Sequence, residues 1–142
     1  MNEYPPQSKE PPRCIAVLLC NEVIEDKRTN NKTLVSLFNS IGVGALPATH
    51  DRMFIMASFT NGIGSWPLTF RIIGPSGDEL VRMQGEAEFN DPLAVMDIVI
   101  EIRQLELREA GQHIIDVLAG NTPLSERRFV VQTQGTSNPQ EG

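Results

Sequence analysis

Apolar and polar residues alternate with a period of two through much of this chain, and this period constrains the fold more than any other feature. The clearest run spans residues 81–89, where every second residue is apolar or Gly and the others are Arg, Gln or Glu. Similar runs occur at 35–41, 53–59 and 66–72. Successive side chains of a β-strand point to opposite faces, so each run predicts a strand that buries one face.

Residues 91–97 contain both helix and strand signals. Asp91 before Pro92 favours the start of a short helix, whereas the β-branched residues that follow favour a strand. The sequence leaves this segment open between the two structures. We predict a strand from about Ile98, with a bulge near Gln104, where the inward positions change from even to odd numbers.

Turn-forming residues separate these runs at fairly even intervals. They occur at 30–31, 61–62, 74–78 and 120–123, and they include Asn and Gly, which tolerate the positive φ angles of tight hairpins. Strands with this spacing are typical of sandwiches and barrels. We therefore predict an all-β fold, an antiparallel β-sandwich of about seven to eight strands.

The two ends of the chain differ in composition from its middle. Residues 1–12 include four prolines and residues 134–142 are mostly polar, so neither segment has an apolar face to bury. We predict a flexible Pro-rich arm at 1–12, a β-sandwich domain at 13–133 and a flexible polar tail at 134–142. One domain of this size buries roughly 70% of the surface that its unfolded chain exposes, enough for a core without metals or disulfides.

Charge and hydropathy limit the classes of partner. The formal net charge is −6, and the 12 Lys and Arg residues do not provide the basic footprint that nucleic-acid binding requires. The longest apolar run, 14–20, is far shorter than the roughly 20 residues of a membrane span, and no signal-peptide pattern precedes it. We expect neither nucleic acid nor a membrane as a partner.

The apolar run at 14–20 also bears on the cellular compartment. Because it is apolar without interruption, it predicts a central strand covered on both faces. Cys14 and Cys20 would lie roughly 20 Å apart along such a strand, so they cannot form a disulfide with each other. Two buried free thiols fit a reducing compartment, and we predict a cytoplasmic protein.

Residues that usually carry catalysis or bind metals are few and scattered. The only histidines, His50 and His113, are far apart in sequence, and no cluster of His and Cys has the spacing of a metal site. Glu86 and Glu88 share a strand face, but alternating charge is typical of the solvated face of a sandwich. We therefore predict no catalytic, cofactor-binding or metal-binding residues, and no cofactor.

The segment 109–115 resembles the corner of immunoglobulin-like sandwiches. In that corner an acidic residue, a Gly and an aromatic residue lead into the penultimate strand. Here Glu109, Gly111 and His113 occupy these positions, and Ile115 stands where secreted members carry a disulfide cysteine. The resemblance implies an immunoglobulin-like antiparallel β-sandwich that lacks this disulfide.

Over most of residues 14–132 the chain is also similar to a family of small, uncharacterised bacterial β-sandwich proteins. The similarity is carried by Ala-Val-Leu-Leu-Cys at 16–20, Leu-Val-Ser-Leu-Phe-Asn at 34–39 and Ser-Glu-Arg-Arg-Phe at 125–129. It implies a bacterial, single-domain, β-rich protein and no particular activity.

These patterns favour a protein that binds rather than one that catalyses. A sandwich offers loops and exposed strand edges, so we predict a binding or assembly module that engages an unidentified protein partner or associates with itself. A carrier of an apolar small molecule between the sheets is the alternative, and an enzyme of unknown reaction comes third.

Two glycine-containing loops are candidates for partner contact. They supply Val43 and Leu46 in one loop and Ile63 and Trp66 in the other. Loops on a rigid sandwich often carry binding residues, and aromatic anchors beside apolar neighbours are typical hot spots. The strand period also allows Trp66 to point inward, in register with the apolar residues that follow it.

Overall fold

Nine β-strands account for most of residues 9–134, which are the residues that the computed structural model describes, and this part of the chain contains no α-helix. The strands are β1 (Arg13–Glu25), β2 (Lys32–Leu37), β3 (Ser40–Val43), β4 (Ala48–Thr60), β5 (Gly64–Ile73), β6 (Glu79–Phe89), β7 (Met96–Leu107), β8 (Gly111–Ala119) and β9 (Thr122–Thr133). Residues 1–8 of the predicted arm and 135–142 of the predicted tail lie outside the described residues.

The strands form two sheets that pack face to face. The four-stranded sheet has the order β2-β1-β4-β7, and the five-stranded sheet has the order β3-β9-β8-β5-β6. Neighbouring strands are antiparallel except β3 and β9, which are parallel. The orders β1-β4-β7 and β9-β8-β5 repeat the A-B-E and G-F-C orders of immunoglobulin-like sandwiches. The predicted all-β sandwich is therefore confirmed.

The structure has nine strands where the sequence predicts about seven to eight, and one neighbouring pair, β3 with β9, is parallel. The run at 35–41 has the pattern of one strand, but the structure divides it between the two sheets. The amide of Phe38 donates to the carbonyl of Leu19 in the four-stranded sheet, and the carbonyl of Asn39 accepts from the amide of Val130 in the five-stranded sheet, both at 3.0 Å. Val35 and Leu37, predicted to face inward, are exposed, whereas Ile41 is buried in the core. The sequence pattern does not show this crossing, because alternation alone does not tell which sheet a strand joins or which of its faces is covered.

The core fills the space between the two sheets. All four predicted inward positions of the run at 53–59 are fully buried, and the run at 66–72 buries its alternate positions from 68 onward. The largest fully buried members of the core are Leu19, Met53, Ile55, Phe59, Ile72, Leu107, Ile115 and Phe129. Each large apolar side chain buried here contributes about 1.5–3 kcal/mol, so this layer supplies the main driving force for folding.

β7 changes the face that it buries near Gln104, as predicted. Ile102, Leu105 and Leu107 are all buried, so the inward positions change from even to odd numbers between the first two. Gln104 has a φ of 54°, and its amide nitrogen lies 3.4 Å from a carboxylate oxygen of Asp51 in β4. The register between β4 and β7 continues unbroken through this point, because β4 changes face at the same level.

The segment before β7 forms a turn rather than a helix. The amide of Leu93 donates to the carboxylate of Asp91 at 3.0 Å, and the amide of Ala94 donates to the carbonyl of Asp91 at 3.1 Å. The helix signal at this point is therefore a capped turn, and β7 begins at Met96, slightly before the predicted Ile98.

The described end of the predicted arm packs on the sandwich. Glu10 and Ile63 exchange two backbone hydrogen bonds of 3.0 Å, and Pro12 is fully buried. The Nζ atom of Lys9 lies 4.7 Å from the centre of the Trp66 ring. The ordered domain therefore begins before residue 13.

Candidate interaction surface

Apolar side chains occupy the centre of the outer face of the four-stranded sheet. Leu18 and Cys20 alternate with core residues of β1 and therefore point away from the core. Strand pairing places Met56 beside Leu18, and Phe54 beside Cys20. The same pairing extends the group to one residue of β2 and one of β7. We call this group the outer patch, and its members are Leu18, Cys20, Leu37, Phe54, Met56 and Val99.

The outer patch is separate from the core, which contains none of these six side chains. Leu37 is 58% exposed, whereas Phe54 is only 8% exposed, with the guanidinium of Arg52 5.0 Å from the centre of its ring. Residues 9–134 form two layers, so no third layer of this part of the chain covers the patch. The exposed face of a sandwich sheet is usually polar, and this one is apolar at its centre.

Two acidic and two basic side chains form a charged rim at one end of the outer patch. Arg52 is the centre of this group: its Nη2 lies 3.3 Å from Glu22, and its Nε lies 3.0 Å from Glu101. The Nε of Arg103 lies 2.8 Å from Glu101. An apolar centre with a polar rim is the anatomy of a protein–protein interface.

The outer face of the five-stranded sheet is polar by contrast. Arg71 forms an ion pair with Asp116 and a second one with Glu79 at 3.7 Å. Arg82 lies 2.9 Å from Glu79, and its hydrogen bond lowers the pKa of that carboxyl. These four charged groups therefore form ion pairs with one another within the sheet.

A groove opens between β6 and β7, which are the last strands of their sheets on the same side of the sandwich. Its volume is about 350 Å³, and its apolar lining includes Leu68, Phe70, Met83, Ala87, Ile98 and Ile100. Gly85 lies in its wall, and a Cβ atom at this position would meet nothing within 4 Å. The groove is thus an apolar concavity between two unpaired strand edges.

The four predicted contact residues lie at opposite ends of the sandwich. Val43 and Leu46 lie near the start of β8, and both pack against the core. Ile63 and Trp66 lie near the end of β8. The ring of Trp66 packs against the core, and its Nε1 donates to the carbonyl of Ile63 at 3.0 Å. The structure therefore does not bring these residues together into one site.

The two cysteines lie on opposite faces of β1. Both are free, as predicted; Cys20 is fully buried in the outer patch, and Cys14 is half-buried against the core. Burial raises the pKa of both thiols. A raised pKa lowers the fraction of reactive thiolate at neutral pH.

Both histidines belong to the inward-facing part of the structure. His113 is fully buried, its ring stacks on Phe129 with centroids 5.0 Å apart, and its Nδ1 lies 3.1 Å from the carbonyl of Gly111. The ring of His50 lies 6.2 Å from that of Phe38, and burial lowers the pKa of its imidazole. His113 thus occupies the corner position that the sequence predicts for it.

Two further kinds of site are absent from the described residues. Within residues 9–134, no three His, Cys, Asp or Glu side chains are grouped so that they could hold a metal ion. The same part of the chain has no helix long and apolar enough to cross a membrane. The two carboxylates that share a strand face in the sequence pattern, Glu86 and Glu88, are exposed on the outer face of β6.

Sequence reasoning missed the outer patch, although one signal for it was present. The uninterrupted apolar run at 14–20 predicts a strand covered on both faces. In the described part of the chain, only the inner face of β1 is covered by the second sheet. Two apolar residues of this run, Leu18 and Cys20, belong to the patch, so the run is a sequence signal for an apolar outer face.

Strand order and the buried corner at His113 define a small all-β sandwich of immunoglobulin-like connectivity. Residues 15–132 match the model of a family described as "Family of unknown function (DUF6941)". The chain belongs to this family. Among curated proteins, none matches the sequence.

Several solved structures are similar to this chain at low sequence identity. An immunoglobulin-like protein from Pseudomonas aeruginosa is 17% identical, with 88% of this chain and 99% of that chain covered and a TM-score of 0.46. An alkylpurine DNA glycosylase from Pseudomonas fluorescens is 11% identical, with 66% and 27% covered and a TM-score of 0.44. A β-glucosidase from Erythrobacter marinus is 16% identical, with 87% and 15% covered and a TM-score of 0.45. The chain thus spans only a small part of the two enzymes.

Proposed function

We propose that this protein is a non-catalytic binding or assembly module that engages a protein partner through the outer face of its four-stranded sheet. The observation that carries the proposal is the outer patch, six apolar side chains outside the core on a face that no third layer of residues 9–134 covers; Leu37 is the most exposed of them. Covering such a patch removes apolar area from water, which is the main favourable contribution to most protein association.

The chemistry of the face supports a protein rather than a small molecule as the partner. The patch contains an aromatic residue, Phe54, and a methionine, Met56, and Arg52 borders it. Aromatic residues, Met and Arg are the types enriched at protein interfaces. A sheet face is also broad and gently curved, which suits a protein surface better than a compact ligand.

A bacterial cytoplasm is the compartment that we propose for this contact. Cys14 and Cys20 are free thiols, and such thiols persist in a reducing environment. The similarity of the sequence to bacterial proteins supports the same assignment.

Two leucines provide a matched experiment. Leu18 and Leu118 are both half-buried and lie on outer faces, the first on the four-stranded sheet and the second on the five-stranded sheet. The wild-type protein, Leu18→Asp and Leu118→Asp are each immobilised and exposed to extract of the native host, and bound protein is quantified by mass spectrometry. We expect Leu18→Asp to lose at least about tenfold of the captured partner, because a charge in the patch must be desolvated on binding.

Thermal melting of the three proteins provides the control for folding. Wild type and Leu118→Asp should retain the same partner. If a partner binds Leu18→Asp as well as wild type but is lost when the exposed loop residue Leu93 is substituted, the contact lies on the loops rather than on the sheet face.

The groove between β6 and β7 supports a second candidate function, the carriage of an apolar small molecule. Its volume of about 350 Å³ lies at the lower end of the range for ligand pockets, and its lining is mainly apolar. The space above Gly85 is open, so a larger side chain at this position can fill the groove without a clash.

Filling the groove tests this second function. Gly85→Leu should abolish saturable binding of an apolar fluorescent probe such as N-phenyl-1-naphthylamine, whereas Gly44→Leu should not. Gly44 is the matched control, since a Cβ atom there also meets nothing within 4 Å. Equal binding by both variants, or no saturable binding by the wild type, would exclude the groove as a carrier site.

A further inference from the structure

We infer that the partner of the outer patch is a second copy of this chain, packed face to face about a two-fold axis that runs parallel to β1 and β4. This inference rests on the function proposed above and names its partner. A two-fold contact uses the same surface on both copies, so that surface must be complementary to itself.

The register of the two central strands satisfies this condition for the apolar residues. Leu18 is paired with Met56, and Cys20 is paired with Phe54. The two-fold axis lies between the two copies, over the space between β1 and β4, and runs parallel to both strands. It places β1 of one copy opposite β4 of the other, with paired residues at the same level along the axis. Leu18 of one copy then faces Met56 of the other, and the buried Cys20 lies opposite Phe54, so the apolar side chains of the two central strands meet across the contact. On the flanking strands Leu37 lies opposite Glu101.

Two members of the charged rim, Glu22 and Arg52, satisfy the same condition. Glu22 and Arg52 lie next to each other across β1 and β4, with 3.3 Å between Arg52 Nη2 and a carboxylate oxygen of Glu22. The axis that exchanges the strands also exchanges these two residues. Arg52 of each copy therefore faces Glu22 of the other, and opposite charges meet twice in one contact.

The overall negative charge of the chain limits which of its surfaces can pair with a second copy. The formal net charge is −6, so two copies repel each other unless they meet on a surface without excess negative charge. The charged rim has two acidic and two basic members, Glu22, Glu101, Arg52 and Arg103. It allows close approach of two acidic chains.

The size of the face fits a stable dimer. With a rise of about 3.3 Å per residue and a strand spacing of about 4.8 Å, the four strands, of 13, 6, 13 and 12 residues, present a face of about 700 Å² in total, with the outer patch at its centre. A standard specific interface buries about 800 Å² on each partner. Aligned sheets also pack face to face in this manner inside sandwiches, roughly 10 Å apart.

Charge reversal at the rim tests the inference by analytical ultracentrifugation across about 1–200 µM protein. We expect the wild type to show a monomer–dimer equilibrium. Arg52→Glu and Glu22→Arg should each weaken the dimer at least about tenfold, because each places like charges opposite each other. The double variant Glu22→Arg/Arg52→Glu should restore the dimer, because positions 22 and 52 then again carry opposite charges that face each other across the axis.

The restoration separates a second copy from any other partner. A different protein presents fixed charges, so the double variant would remain impaired toward it. Arg82→Glu is the matched control, because Arg82 lies in a comparable ion pair with Glu79 on the five-stranded sheet and should leave the dimer unchanged. Urea unfolding at low protein concentration checks that each variant folds.

Monomeric wild-type protein at every concentration would overturn the inference, as would a dimer that is insensitive to both single variants. If the monomer still captures a partner that Leu18→Asp loses, the interaction surface stands and only the second copy is wrong. If Leu18→Asp also has no effect, the interaction surface and the second copy fail together.

Discussion

The outer faces of the two sheets differ, although their inner faces are built alike. Both sheets send alternate apolar side chains into one core. On the five-stranded sheet the opposite face carries ion pairs such as Arg71 with Asp116, whereas on the four-stranded sheet it carries the outer patch. Folding needs only the inner faces, so the second apolar face adds nothing to the core. This difference between the outer faces is the basis of the proposed contact with another molecule.

The largest expected effect compares two phenylalanines of the same strand. Phe59 points into the core and is fully buried, whereas Phe54 points to the outer patch. In urea unfolding of the monomer, Phe59→Ala should lower the free energy of unfolding by about 3–5 kcal/mol. Phe54→Ala should lower it by only about 1–2 kcal/mol, because its side chain packs on one sheet rather than between two. Equal losses would mean that the outer patch is a second core.

Removing an ion pair from each outer face should give a smaller difference in the free energy of unfolding than the two phenylalanine substitutions. Asp116 is paired with Arg71, and both side chains are largely buried, so Asp116→Asn should lower the free energy of unfolding by about 1–2 kcal/mol. Glu101→Gln on the other sheet should cost less than about 1 kcal/mol, because solvent and salt screen an exposed ion pair. Urea unfolding at low and high salt measures both. A larger loss for Glu101→Gln would show that the charged rim is a structural network.

Thiol labelling sharpens the comparison between the two faces of β1. Burial raises the pKa of both Cys14 and Cys20, so both should react with a thiol reagent at pH 8 at least about tenfold more slowly than in urea. Raising the protein concentration should slow Cys20 further and leave Cys14 unchanged, since only Cys20 lies in the outer patch. Quantification by peptide mass spectrometry distinguishes the two sites. Equal protection of both thiols would contradict a contact on one face.

The smallest expected effect concerns pH. Burial lowers the pKa of His50, so the imidazole of His50 binds a proton more readily in the unfolded chain than in the folded one. Stability is therefore fully present above the unfolded pKa of about 6.5 and is lost as the pH falls through that range. Between pH 7.5 and 5.5 the loss should be under about 1 kcal/mol, and His50→Gln should reduce it. Because neither outer face carries a histidine, dimer strength should not follow the same pH profile.

Local signals predicted much of the fold. Asn30, Asn61, Gly77 and Gly120 all have positive φ angles, as the turn signals between the strands require. The change of buried face near Gln104 was also predictable, because a strand whose apolar positions shift from even to odd numbers must turn its other face to the core. Turns and changes of buried face depend on residues that are close in sequence, so the amino-acid sequence alone is enough to predict them.

The candidate surface was less predictable, because it depends on what covers each face. The run at 14–20 shows that both faces of β1 are apolar, but it does not tell whether this chain or another molecule covers the second face. The loops with Val43 and Trp66 also gave no sign that they lie at opposite ends of the sandwich. Alternation gives the direction of a side chain relative to its sheet and leaves its place along the molecule undefined.

The parallel pairing of β3 with β9 has a mechanical consequence. The described chain enters at the end of the sandwich where Arg13 pairs with Thr60, and it leaves at the opposite end, where Val43 pairs with Thr133. Tension between these ends acts along the strand axes, so it loads the hydrogen bonds of the β3–β9 ladder in shear. Bonds loaded in shear must break together, whereas bonds that are peeled break one at a time. We therefore expect the β3–β9 ladder to contribute to resistance when the described chain is stretched.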